Sequence, residues 1–97
     1  PAFDSEGFKK YQNALNNDTL DKLIDKVKDL NKEISTDRSL GKGFCIGHSF
    51  FCNLKDISGQ TLVRIINYEL APLLREYWFD EPGKAEEWEN KLQRAVR

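Results

Sequence analysis

The sequence predicts a mainly α-helical fold, a small bundle of four to five helices with one ordered glycine-rich loop. The chain has 97 residues, which is the size of one domain, and we expect residues 1–97 to form it. Apolar residues recur at intervals of three and four along much of the chain, the period of an amphipathic helix. Three of its glycines (Gly41, Gly43 and Gly47) lie within seven residues and interrupt this pattern.

A first helix is predicted with Asp4 or Ser5 as its N-cap, because short polar side chains satisfy the free amides of a helix start. The pair Asn16-Asn17 is expected to end it. Its apolar face comprises Phe8, Tyr11 and Leu15.

The second helix has the clearest amphipathic pattern, with Asp18 expected as its cap and its end expected between Ser35 and Arg38. Aspartates and lysines cover its outer face and are interpreted as a solvated surface. Its apolar stripe comprises Leu20, Leu23, Ile24, Val27, Leu30 and Ile34.

Residues 39–51 are predicted to form a packed loop. The glycines allow backbone conformations that other residues avoid, whereas the many aromatic and aliphatic side chains indicate that the loop is not a mobile linker. We expect a short extended piece at Phe44–Ile46 and a short helical turn near Ser49–Asn53.

Two further helices are predicted after this loop. A long one runs from Ser58 or Thr61 to about Trp78, and Pro72 should kink it because proline lacks a backbone donor. A last helix should have Asp80 as its cap and Pro82 in its first turn. The expected buried residues are Leu62, Ile65, Ile66, Leu70, Leu73, Leu74 and Tyr77 in the long helix and Ala85, Trp88, Leu92 and Val96 in the last one.

Composition and charge argue against several classes of protein. Fifteen Lys and Arg residues balance sixteen Asp and Glu residues, whereas a dedicated nucleic-acid domain usually has a basic excess. No apolar run approaches the roughly 20 residues that span a bilayer, and no signal segment is recognisable. We therefore expect a cytoplasmic protein with no membrane partner.

No catalytic or metal site is expected in this chain alone. Cys45 and Cys52 could be joined only by His48, whereas a structural zinc ion takes four ligands, so we interpret them as half-buried thiols. Any catalytic triad would need this single histidine, and the sequence pattern indicates no acidic residue as its partner. Gly41-Lys42-Gly43 lacks the spacing of a phosphate-binding loop, and Phe44 stands where a magnesium-binding Ser or Thr would be.

Two longer stretches resemble the C-terminal region of McrB proteins, the AAA+ GTPase subunits of 5-methylcytosine-specific restriction systems. They are LGKGFCIGHSFFC at residues 40–52 and YELAPLLREYWFDEP at residues 68–82. The spacing from the second helix to the tryptophan-bearing final helix is also similar, so the resemblance covers roughly residues 20–95. The chain departs from the family pattern at Cys45, where relatives often have Arg, and at Phe50, where Tyr is more usual.

The resemblance implies that the chain is the C-terminal helical lid of an AAA+ module, following the strand that closes the α/β core. In that family the Walker motifs lie upstream, and the lid packs over the nucleotide and against the neighbouring subunit of a ring. Such lids convert nucleotide state into movement. The parent protein is then expected to bind GTP, or alternatively ATP, with Mg²⁺, and to form a hexameric ring. It is further expected to recognise methylated DNA through a separate N-terminal domain and to recruit a nuclease subunit.

The candidate nucleotide-contacting residues are Lys42, His48 and Ser49. Lys42 could reach a phosphate as a flexible point charge, or it could be an ordinary exposed lysine. His48 lies where AAA+ lids often have a basic sensor residue, or it could be a structural histidine bonded to a backbone carbonyl. The glycines Gly41, Gly43 and Gly47 are expected to shape the loop rather than contact the ligand.

The aromatic residues Tyr77, Trp78, Phe79 and Trp88 are expected mainly in the core, and the first three are also candidates for a subunit interface. A stand-alone helical interaction module is the main alternative function, because it would explain the neutral charge and the missing catalytic groups equally well. A DNA-binding domain is the third, and the alternating Asp and Lys residues of the second helix count against it.

Overall fold

A computed structural model describes residues 2–52, 54 and 57–97. Its helices follow the apolar pattern of the sequence. The helices are α1 (Glu6–Leu15), α2 (Asp18–Thr36), α3 (Gly59–Ile65), α4 (Ala71–Tyr77) and α5 (Pro82–Ala95). Short 3₁₀ turns lie at Ala2–Asp4, Lys42–Phe44 and His48–Phe51. The described residues contain no strand, so the predicted mainly α fold is confirmed. In this part of the chain, no helix combines the length and apolar character needed to cross a bilayer.

The connection between α1 and α2 depends on short polar side chains. The Ser5 hydroxyl accepts a hydrogen bond from the Phe8 amide at 3.3 Å, and Asn16 ends α1 with a φ of 47°. The cap of α2 is Asn17, whose side-chain oxygen accepts from the Leu20 amide at 2.9 Å. The prediction of Asp18 as this cap was therefore wrong, because Asn17 has the extended backbone of a cap whereas Asp18 is already helical.

Helix α2 contributes the centre of the core and packs against α5. All six residues of its predicted apolar stripe are buried, and so are the predicted residues of α5. Burying each large apolar side chain contributes about 1.5–3 kcal/mol. The two faces were predicted from periodicity alone and are confirmed as follows: Leu20, Leu23, Ile24, Val27, Leu30 and Ile34 in α2, and Ala85, Trp88, Leu92 and Val96 in α5 or at its end.

The predicted long helix consists of α3, a π-helical segment at Ile66–Leu70, and α4. Its cap is Ser58, which accepts from the Thr61 amide at 3.2 Å. The Ala71 amide donates to the carbonyl of Ile66, five residues earlier. Since Pro72 has no amide proton and its ring crowds the preceding turn, the wider π turn accommodates it. Among the expected buried residues, Leu73 and Tyr77 are only half-buried.

Three residues form a turn between α4 and α5. The Glu81 amide donates to the Trp78 carbonyl at 2.9 Å, and Pro82 then occupies the first position of α5. The predicted cap Asp80 lies inside this turn, so that prediction was wrong. Glu81 occupies the cap position without a side-chain hydrogen bond, because backbone bonds of the turn already set the start of the helix.

Candidate functional site

The glycine loop, residues 41–52, begins where the chain leaves α2. The Gly41 amide donates to the Ile34 carbonyl at 3.2 Å, and Gly41 has a φ of 91°. A side chain at this φ would be strained, so the position favours glycine. By contrast, Gly43 lies in a 3₁₀ turn and Gly47 has a φ of −87°, and a Cβ atom at either would meet nothing within 4 Å.

Asn31 of α2 holds the middle of the loop. Its side-chain amide donates to the Ile46 carbonyl at 2.9 Å, and its side-chain oxygen accepts from the Ile46 amide at 2.6 Å. The Cys45 thiol donates to the Asn31 carbonyl at 3.6 Å. These bonds attach the loop to α2, and Ile46 is 2% exposed as a member of the hydrophobic core. The backbone is extended at Cys45, whereas Phe44 belongs to the preceding 3₁₀ turn. The extended piece therefore begins one residue later than predicted.

Sequence reasoning did not identify Asn31 as important. One signal was present: Asn31 follows Leu30 at the edge of the apolar stripe and is uncharged in a helix whose other polar positions are mostly Asp and Lys. That signal indicates only that Asn31 lies at the boundary between the apolar and polar faces of α2. It does not identify the segment that passes opposite.

His48 begins the second 3₁₀ turn of the loop, one residue earlier than predicted, while the predicted last residue of that turn, Asn53, lies outside the described residues. The His48 ring stacks on Phe8 with a centroid separation of 5.4 Å and an angle of 4°. Its Nδ1 lies 3.6 Å from Sγ of Cys52. The ring makes no bond to a backbone carbonyl of the described residues, and its Nε2 has no partner among them. Within the described residues, His48 is therefore positioned mainly by stacking, and its Nε2 is unoccupied.

An aromatic cluster supports this end of the loop. Phe3 contacts Phe8 edge-on at 5.4 Å and Phe51 at 6.0 Å, and Phe3 and Phe51 are almost completely buried. The Tyr11 hydroxyl accepts from the Leu54 amide at 3.3 Å. The orientation of His48 therefore depends on packing between α1 and the loop.

The other two candidate residues lie on the loop surface. Lys42 is exposed in the first 3₁₀ turn, and Ser49 is exposed beside His48 in the second. In residues 2–52, 54 and 57–97, no hydrogen bond joins Lys42 to His48 or Ser49, and no carboxylate pairs with the Lys42 ammonium. The loop thus presents a positive charge and polar groups along its length, which suits contact with an anion.

Asp37, just beyond α2, connects that helix to the α4–α5 turn. Its carboxylate accepts from the Trp78 indole at 2.9 Å, from the Ser39 amide at 2.8 Å and from Lys84 at 3.4 Å. The indole hydrogen bond, the Ser39 amide and the nearby ammonium lower the pKa of Asp37. Lys84 also lies 2.9 Å from Glu33, and this hydrogen bond contributes most to raising the pKa of Lys84. Sequence reasoning did not single out Asp37.

The three consecutive interface candidates have different environments. Trp78 is 1% exposed and lies in the core, so its ring is not presented to a second chain. Tyr77 is half-buried, edge-on to Phe44 at 5.2 Å, and burial raises the pKa of its phenol. Phe79 is 80% exposed, so the expectation that these aromatic residues lie mainly in the core was wrong for Phe79.

Two comparisons with known proteins match this chain. A family model described as "McrB, alpha-helical lid domain" matches residues 22–86, about two thirds of the chain. The curated "Type IV methyl-directed restriction enzyme EcoKMcrB subunit" of Escherichia coli (strain K12) is 43% identical over an alignment that covers 95% of the chain. The chain spans only 22% of that relative's length. The region matched by the family model contains Asn31, the glycine loop and the aromatic residues 77–79.

Proposed function

The chain belongs to the McrB alpha-helical lid domain family, and from this membership we propose that it is the C-terminal lid of a GTP-dependent motor subunit in a modified-DNA restriction system. ATP is the alternative nucleotide. In this proposal an upstream α/β AAA+ core of the same protein holds the nucleotide and Mg²⁺, and the lid covers them without being catalytic itself. The family match, which includes the anchored glycine loop, is the observation that carries the proposal.

The glycine loop is proposed as the surface that faces the nucleotide. Lys42 and Ser49 are exposed, and His48 has an unoccupied ring nitrogen within the described residues. An ammonium or imidazole bound to phosphate forms a charge-assisted hydrogen bond, which is stronger than a neutral one. Because Asn31 holds the middle of the loop and Phe8 stacks on His48, the loop backbone and the His48 ring would meet a phosphate with little ordering cost.

Movement of the lid is proposed to follow the nucleotide state. The loop is bonded to α2 through Asn31, and α2 is bonded to the α4–α5 turn through Asp37 and Trp78. Close-packed elements connected in this way move together, because a packed core does not deform continuously. A displacement at the loop would therefore reach the exposed Phe79, on the surface proposed to contact the neighbouring subunit of a hexameric ring.

The remaining partners are proposed for the parent protein and not for the glycine loop or the surface at Phe79. The relative's name describes it as a methyl-directed restriction enzyme subunit. By analogy, the parent of this chain would recognise methylated DNA through another domain, recruit a nuclease subunit and act in the cytoplasm.

Substitutions in the longer protein that contains this domain test the site. Lys42→Ala and His48→Phe should each lower the rate of GTP turnover roughly 10- to 100-fold, as expected for losing one hydrogen bond to a charged group. Phenylalanine at position 48 retains an aromatic ring to stack on Phe8 and removes both nitrogens. Lys32→Ala, at an exposed position of α2, is the matched control and should stay within about twofold of the unsubstituted protein.

Unchanged GTP turnover in both loop variants would remove the loop from the nucleotide site while leaving the family membership intact. The native mass gives a separate test. A protein far heavier than 11.3 kDa, with G-x-x-x-x-G-K-[ST] roughly 150–250 residues before Pro1, would support the lid proposal. A native mass near 11.3 kDa would favour the stand-alone interaction module instead.

A further inference from the structure

Three exposed arginines and an exposed tyrosine lie where the end of α5 packs against α3 and the π-helical segment. The side chain of Gln93 donates a hydrogen bond to the side-chain oxygen of Asn67. A Cβ atom at Gly59 would lie 3.9 Å from the Val96 carbonyl. These two contacts place residues 59–68 beside the last turns of α5. We call the following four residues the arginine patch: Arg64, Tyr68, Arg94 and Arg97.

No carboxylate pairs with the three arginines of the patch in the part of the chain that the structure describes. Arg94 donates through Nε to the Asn90 carbonyl at 3.3 Å, which leaves the two terminal nitrogens of its guanidinium for another acceptor. Arg94 and Arg97 line a groove of about 320 Å³ whose other walls are the side chains of Asn90 and Gln93. All four side chains can donate hydrogen bonds, so the groove is suited to an anion.

Few acidic groups offset the positive charge at this end of the molecule. Residues 57–68 and 90–97 contain no aspartate or glutamate, and Glu69 is the first acid after the earlier stretch. Farther back along α5, Glu87 and Glu89 are each held in an ion pair with a basic side chain. The whole chain has a net charge of −1, so the patch is a local basic surface on a nearly neutral domain.

Tyr68 adds an aromatic surface to this charge. It is 77% exposed, directly follows Asn67, and lies one helical turn after Arg64. Residues four apart are neighbours on a helix surface, so the tyrosine and Arg64 share a face. The helix dipole accounts for arginines at the end of α5. It accounts neither for Arg64, which lies within the continuous helical stretch of α3 and the π segment, nor for the exposed aromatic ring beside it.

We propose that the arginine patch binds single-stranded nucleic acid, with its guanidinium groups on the phosphates and the Tyr68 ring stacked on an unpaired base. Guanidinium groups pair with phosphate through parallel hydrogen bonds, and an aromatic ring stacks on any base. An acidic peptide would pair with the arginines but would leave the Tyr68 ring unused. The exposed ring therefore favours the nucleic acid.

This contact is separate from the nucleotide site and from the recognition of methylated DNA proposed for another domain of the parent protein. Phosphate pairing and base stacking read no base edges, so binding should depend on neither sequence nor methylation. The contact requires no nucleotide at the glycine loop. Its failure would therefore leave the proposed function standing.

The number of arginines sets the expected strength and salt dependence. The slope of log K against log salt is about −0.7 for each phosphate contact on a single strand, so three contacts give a slope of about −2. Non-specific affinities at physiological salt lie at about 10⁻⁴–10⁻⁶ M, and so few contacts belong at the weak end, with a Kd of about 100 μM.

Fluorescence anisotropy of a labelled oligo(dT) of about 12 nucleotides, titrated with the 97-residue chain, tests the proposal. The chain has a hydrophobic core of its own, and its described residues include no buried side-chain polar atom without a partner. It can therefore be measured apart from the other domains of the parent protein, after circular dichroism has confirmed that each variant is helical.

The arginine and tyrosine variants have different expected signatures. Arg94→Gln should raise Kd about fourfold at 0.15 M salt and make the salt slope shallower by about 0.7, because one phosphate contact is lost. Tyr68→Ala should raise Kd about 10-fold with the slope unchanged, whereas Tyr68→Phe should stay within about twofold. Arg38→Gln is the matched control and should change neither quantity, because Arg38 is exposed beside Asp37, which contacts the opposite end of α5 through Lys84.

Two further probes distinguish the single strand from other polyanions. A duplex of the same length has a denser phosphate charge but no unpaired base, and a polyglutamate peptide has charge without rings, so the single strand should bind more tightly than either. The proposal would be overturned by no binding at about 1 mM chain in low salt, or by equal effects of Arg94→Gln and Arg38→Gln. Unchanged affinity in Tyr68→Ala, or tighter binding of the duplex or the peptide, would also overturn it.

Discussion

Replacing Asn31 by alanine tests whether one side chain anchors the glycine loop. Asn31 donates to the Ile46 carbonyl at 2.9 Å and accepts from the Ile46 amide at 2.6 Å. Ile46 is 2% exposed, so little water can reach its peptide groups when the partner is removed. The variant therefore leaves both a donor and an acceptor unsatisfied.

The expected loss of stability follows from these two bonds. An unsatisfied buried donor or acceptor costs about 1–3 kcal/mol. Relaxation of the loop should admit some water and keep each cost near the lower end, so the two together cost about 2–4 kcal/mol. Alanine regains about 0.5 kcal/mol through its higher helix propensity. The net destabilisation is then about 2–3 kcal/mol, which lowers Tm by about 10–20 °C in a domain of this size.

Urea unfolding followed by circular dichroism and tryptophan fluorescence would measure this difference. Asn13→Ala is the matched control, because Asn13 is exposed in α1 and its side chain makes no hydrogen bond within the described residues. It gains the same helix propensity without losing a contact. If Asn31→Ala were within about 0.5 kcal/mol of Asn13→Ala, the argument that Asn31 anchors the loop would fail.

Two further substitutions test the loop backbone and the Asp37 contacts. Gly41→Ala should cost about 1–2 kcal/mol in urea unfolding because of its φ of 91°, whereas Gly47→Ala, with a φ of −87°, should be nearly neutral. Equal effects at both positions would contradict the backbone explanation. Asp37→Asn should destabilise the chain at pH 7. The pKa of Asp37 is lowered from its ordinary 3.8, so its contribution is present above that value and is lost as pH falls through the lowered pKa. The Tm difference between the two proteins should therefore shrink from pH 5 to pH 2, and a constant difference would refute the assignment.

The helix faces and the position of the loop followed from the sequence because both are local properties. The stripe from Leu20 to Ile34 repeats at the helical period, and that period alone places its members on one side of α2. Closely spaced glycines likewise end a helix wherever they occur. The two long motifs also identified the family, which the comparisons then matched over residues 22–86.

The helix starts near Asp18 and Asp80 show where local reasoning loses accuracy. Both side chains are good caps in isolation, but Asn17 already has the extended cap backbone and the Trp78–Asp80 turn sets the start of α5. A cap depends on the backbone of its neighbours, which a single residue type does not specify.

Only the tertiary structure determined how the loop is held and which aromatic residues are exposed. Asn31 and Ile46 are 15 residues apart, and Asp37 and Trp78 are 41 apart, so no periodic pattern relates them. Trp78 and Phe79 are adjacent in sequence but are 1% and 80% exposed, and no periodic pattern accounts for this difference either. Periodicity specifies the side of a helix on which a residue lies, whereas hydrogen bonds and burial depend on the segment that packs opposite.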